Sequence, residues 1–98
     1  MKLELAPRAV READRCAQWW REHRPAARTL FEDELRAALT QIRTAPRLGS
    51  IYETVGGREY RRVLMPETSH HVYYRVVGHD LVRVLAVWSA VRGRSPRL

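Results

Sequence analysis

The chain has 98 residues, 45% of them hydrophobic and 30% charged, which excludes a disordered polymer and leaves room for one small domain with a modest core. Eighteen basic against eleven acidic residues give +7, split as +2 over residues 1–45 and +5 over residues 46–98. Cys16 is the only cysteine, which excludes an internal disulfide and a cysteine-based zinc cluster.

The positive C-terminal half suggests an acidic partner (nucleic acid, a nucleoprotein surface or an acidic protein segment), or else reflects arginine used for solubility. The opening "MKLELAPR" lacks the apolar core of a signal peptide, and no run reaches the length of a membrane span. The expectation is a cytoplasmic chain without membrane contact.

Residues 2–5, "KLEL", alternate polar and apolar as a short strand does. Pro7 then opens a helix, and Val10, Ala13, Cys16, Ala17 and Trp20 form its apolar stripe, ending near Arg24-Pro25. Trp19 falls beside the stripe, partly exposed. Pro25 opens a second helix, with Ala27, Phe31, Leu35, Ala38, Leu39 and Ile42 as its stripe. Glu32, Asp33 and Glu34 suit its dipole, and "TAPRLGS" at 44–50 ends it. From residue 58 the period changes to two. "REYRRVLM" (58–65), "HHVYYRVV" (70–77) and "LVRVLAVW" (81–88) read as strands, the last two joined by the tight turn "GHD". The fold class is α+β, in the order β-α-α-β-β-β, with an antiparallel helical hairpin packed on a mostly antiparallel sheet. Residues 1–98 form a single domain ending in a basic tail over 92–98.

Metal chemistry finds no support. His70 and His71 are adjacent in a strand and point to opposite faces, while His79 lies in a turn and His23 at a helix end. No nucleophile motif or phosphate-binding glycine fingerprint is present, so neither a metal nor a cofactor is expected. Metal-free RNA cleavage needs a base, a cation for the phosphorane and an acid. Alternation places His71, Tyr73 and Arg75 on one face of their strand, with Arg61 or Arg62 nearby. Two readings of that face stand: a basic, aromatic surface for RNA, or an amphipathic sheet that is polar because water touches it. In the next strand, alternation puts Val82, Val84, Ala86 and Trp88 together.

The run "YRRVLMPETSHHVYYRVVGHDLVRVLAVWSAVRGRSP", residues 60–96, resembles the C-terminal half of the ParE/RelE superfamily of type II toxin–antitoxin toxins, which includes plasmid-stabilisation toxins. Its matching parts are Arg61-Arg62, the "YYRV" strand at 73–76, the turn at 78–80, and "VLAVW" leading into Arg92-Gly93 and Pro96. The resemblance implies a toxin held inactive in a hetero-oligomer with a cognate antitoxin. On the surface of this chain, Arg62, Tyr73, Arg75, Arg83 and Trp19 are the expected antitoxin contacts.

The superfamily divides by target. ParE-like members inhibit DNA gyrase, and this reading assigns target contacts to Trp88, Arg92, Arg94 and Arg97, with no catalytic residue. RelE-like members cleave mRNA at the ribosome, and that alternative assigns catalysis to Arg61, Arg62, His71 and Arg92. Here Trp88 leads into Ser89-Ala90-Val91, where RelE-like relatives often place a tyrosine or histidine, and His71 is the nearest match to their strand arginine. A third reading is a decayed toxin that serves only as an antitoxin partner.

Overall fold

The computed structural model describes residues 1–98. Strand β1 (Lys2–Leu5) feeds directly into helix α1 (Pro7–His23), whose first position is Pro7, where the missing N–H would have no partner. Arg24 closes α1 through its N–H to the Trp20 carbonyl, and Pro25 prevents continuation. The second helix begins later than its leading proline suggests. Residues Pro25–Ala27 form one 3-10 turn, and α2 spans Leu30–Thr44. The chain reverses direction here, and a tight turn uses few residues to do it. Arg21 of α1 and Glu32 of α2 pair across the hairpin.

Four strands follow α2: β2 (Ser50–Val55), β3 (Arg58–Met65), β4 (His70–Val77) and β5 (Leu81–Ser89). The sheet order is β1-β5-β4-β3-β2, with β1 parallel to β5 and the other pairs antiparallel. The α+β class and the expected element order hold, with β2 as an added strand. Its period-2 signal is absent for two reasons. It is an edge strand with only Tyr52 half-buried, and a bulge between Ile51 and Glu53 breaks its register.

Both helices cover one face of the sheet. Ala9, Ala13, Phe31, Ala38 and Ile42 pack there on Met65, Val72, Tyr74, Val82, Val84 and Val87. Truncating Phe31, which is fully buried, would cost about 3–5 kcal/mol. Tyr74 also holds the loop after α2: its hydroxyl donates to the Pro46 carbonyl at 2.7 Å and accepts the Gly49 N–H at 2.9 Å.

One expectation is reversed. Tyr73 pairs with Ala86 but Tyr74 pairs with Val84, so Leu85 is a bulged residue with no partner in β4. An extra residue flips the alternation beyond it. Val87 therefore joins Val82 and Val84 on the helix side, while Ala86 and Trp88 turn to the outer face.

Candidate functional site

The outer sheet face is built from cross-strand rows. Arg62, Tyr73 and Ala86 form one row, and Leu64, His71 and Trp88 the next. Tyr52 reaches in from β2, with its ring edge-on to Tyr73 at 4.9 Å and the Arg62 guanidinium 5.3 Å from its centroid. The bulge at Leu85 delivers Trp88 to this face, where the guanidiniums of Arg92 and Arg8 lie 4.3 and 5.5 Å from its ring.

The basic tail is not free. The Trp88 indole N–H donates to the Arg94 carbonyl at 3.0 Å, the Tyr52 hydroxyl to the Pro96 carbonyl at 3.4 Å, and the Arg8 guanidinium to the Arg97 carbonyl. These anchors come from both sides of the β4–β5 pair, so the tail crosses the outer face. Pro96 is buried, and so are Ala86 and Tyr73, the latter only 2% exposed. Tyr73, expected on a wet surface, is therefore covered. The anchors are carbonyls, which leaves the side chains of Arg94 and Arg97 exposed and without a hydrogen-bond or ion-pair partner.

The residues of the nuclease alternative separate. Arg62 and His71 share the outer face, and Arg92 stands at its end over Trp88. Burial lowers the His71 pKa, and Arg62 and then His70 lower it further, so the ring is neutral at physiological pH. Arg61 points the other way, in the row of Tyr74 and Val84. Its guanidinium donates to the Gly49 carbonyl at 2.7 Å, the Arg47 carbonyl at 3.2 Å and the Glu59 carboxylate at 3.3 Å. Its side chain is only 14% exposed. Arg61 clamps a loop and does not face the outer sheet.

A family model described as "ParE toxin of type II toxin-antitoxin system, parDE" matches residues 3–93. The chain belongs to the ParE toxin family. The fold is also similar to that of a solved chain titled "Chromosomal ParDE TA system from P. aeruginosa", with a TM-score of 0.72. That likeness covers 91% of this chain and 95% of the other at 14% identity. No curated protein matches the sequence.

Within this ParE-family chain, the expected antitoxin contacts fall on two surfaces. Arg62, Arg75 and Arg83 lie on the outer sheet face, Arg75 and Arg83 directly opposite each other and Arg83 bonded to Glu4 at 2.6 Å. Trp19 sits on the helix layer, 43% exposed, stacked on His23 and beside Arg24. It borders a cleft of about 420 Å³ with Trp20, Cys16, His70 and Val91. There the Cys16 thiol lies 3.5 Å from His70 Nε2, whose Nδ1 bonds the Thr68 carbonyl at 2.8 Å. Burial raises the thiol pKa and lowers that of His70, so both groups are neutral and the pair is packed, not activated.

Sequence reasoning missed Tyr52 and Arg8, which hold the tail. Their roles depend on partners 44 and 89 residues away, and no local pattern marks them. Helix α1, the longest in the chain, has 17 residues, and no helix is long and apolar enough to cross a membrane.

Proposed function

We propose that this ParE-family toxin arrests growth by binding and inhibiting DNA gyrase, without chemistry of its own, and that a cognate antitoxin neutralises it. Family membership supports a toxin with an antitoxin partner. The observation that favours inhibition by binding is Arg61. Its hydrogen bonds to the Arg47 and Gly49 carbonyls remove one of four basic or titratable groups from any shared catalytic centre. The exposed guanidiniums of Arg94 and Arg97, presented by a tail anchored through its backbone, form the proposed target contact with Trp88 and Arg92. Arg62, Arg75 and Trp19 remain accessible to the antitoxin.

Supercoiling by gyrase, measured with the free toxin and with toxin pre-bound to its antitoxin, tests the proposal. Inhibition by the free toxin that the antitoxin relieves is the expected result, and Arg92→Ala with Arg94→Ala should weaken it. Supercoiling unaffected by free toxin would sink the gyrase reading.

A ribosome-dependent endoribonuclease remains the second reading, and one observation favours it. Arg62 and His71 share a face, and His71 is in the neutral form a general base requires. His71→Gln would then abolish mRNA cleavage while antitoxin binding persists. Intact cleavage in that variant would exclude His71 as the base.

A further inference from the structure

At the end of the sheet away from Trp88, three connections meet: the α2–β2 loop, the β2–β3 hairpin and the β4–β5 hairpin. They enclose an open groove of about 680 Å³ whose charged lining is Arg47, Arg58, Arg61, Arg75 and Glu59, with His79 at the rim. Four guanidiniums thus face one carboxylate, and that carboxylate is already bonded to Arg61. Arg47, Arg58 and Arg75 make no side-chain hydrogen bond or ion pair within the chain. The frame is rigid. Arg61 ties the carbonyls of Arg47 and Gly49 together, and both hairpins turn on glycines with positive φ, Gly56 and Gly57 in one and Gly78 in the other.

Three unpaired guanidiniums held by such a frame repel one another, and a multivalent anion bridging them relieves that repulsion. The lining contains no Trp, Tyr or Phe and only two hydrophobic residues, so apart from the His79 imidazole it offers little on which a base could stack. A ligand recognised here is therefore gripped through its phosphates, by the planar donors that arginine offers them. The excess of +5 over residues 46–98 extends the attraction beyond the groove. We propose that this groove binds the phosphodiester backbone of nucleic acid, without reading its bases. The groove contains none of Trp88, Arg92, Arg94 and Arg97, the residues proposed to contact the target, and shares only Arg75 with the proposed antitoxin surface, so it stands or falls independently of gyrase inhibition.

The test is fluorescence anisotropy of the full chain with a short fluorescein-labelled DNA duplex, between ~50 and ~200 mM salt. Arg58→Ala with Arg75→Ala should weaken binding at least ~10-fold at low salt and flatten the salt slope by about 2, one for each phosphate that an arginine no longer neutralises. Arg47→Ala with Arg58→Ala is a second variant of the same groove and should behave alike. Arg94→Ala with Arg97→Ala, on the tail, should weaken binding clearly less. Equal weakening in groove and tail variants would mean a diffuse positive field and would overturn the site. Displacement of the duplex by a poly-glutamate peptide at equal charge concentration would overturn the phosphodiester assignment in favour of an acidic protein segment.

Discussion

The Glu12 carboxylate accepts the Val87 N–H at 2.9 Å, tying the middle of α1 to β5 beyond the point where β1 ends. Glu12 is only 7% exposed and is held in place by Arg8, whose Nε lies 3.0 Å from its other oxygen. A strand that outruns its neighbour leaves backbone donors unpaired, and a buried unpaired N–H is costly. Glu12→Ala is expected to destabilise the protein by about 1–3 kcal/mol. Urea denaturation measures this, and a midpoint equal to wild type would deny Glu12 the role.

Gly49 and Tyr74 form a second joint. A Cβ built on Gly49 would stand 2.6 Å from the Tyr74 hydroxyl and 2.8 Å from the Arg62 carbonyl, too close for either to stay. Tyr74→Phe should cost about 1–3 kcal/mol, because it strands the Gly49 N–H and the Pro46 carbonyl. Gly49→Ala should cost more, since backbone must move. Combining the two should cost less than their sum, because the hydroxyl that the alanine strikes is gone. Strict additivity in a double-mutant cycle would contradict the proposed clash.

Stability should fall in two steps as pH drops. Burial lowers the pKa of His70 and of His71, so the unfolded chain binds protons that the folded chain refuses below the ordinary histidine value near 6.5. The loss begins there and levels off once pH passes below the folded values. Glu34 supplies the second step. Burial raises its pKa, but the Thr68 hydroxyl and the Glu67 and Thr68 amides outweigh that and lower it overall. Its stabilisation is complete above the ordinary glutamate value near 4.3 and is lost as pH falls through the lower folded value. Urea midpoints recorded across the range should show both steps. In His70→Gln the upper step should shrink, and an unchanged upper step would exclude His70 as its source.

Trp88→Phe keeps an aromatic ring for Arg92 but removes the N–H that holds the Arg94 carbonyl. The loss should be about 0.5–1.5 kcal/mol, confined to the tail. Amide exchange over residues 92–98 should quicken while the β4–β5 core stays protected. Tail amides that exchange at the wild-type rate would show that this anchor does not hold the segment.

The local periods determined a good deal by themselves. The stripe from Ala13 to Trp20 and that from Phe31 to Ile42 fix two helices and the faces they bury, because period 3.6 acts within one element, whereas Val10, expected in the first stripe, is 42% exposed and Ala9 is buried in its place. The alternation in residues 58–65 and 70–77 fixes two strands for the same reason, and it places His70 and His71 on opposite faces, with His70 edge-on to Phe31 and His71 beside Tyr73. The residues 60–96 also carry the family resemblance, which the match over residues 3–93 bears out.

Tertiary structure decided the rest. The bulge at Leu85 turns Trp88 outward, and it exists only in the pairing of β5 with β4. Strand β2 is exposed on an edge and so leaves no hydrophobic rhythm to read. The tail reads as a loose basic segment, yet Tyr52, Trp88 and Arg8 fold it over Tyr73. Glu12 looks like one more polar helix residue until Val87, 75 residues later, presents its N–H. Periodicity records which side of an element meets the core. It carries no record of partners brought together only when distant segments pack, and in this protein those partners decide which charges are tied down and which stay free to bind.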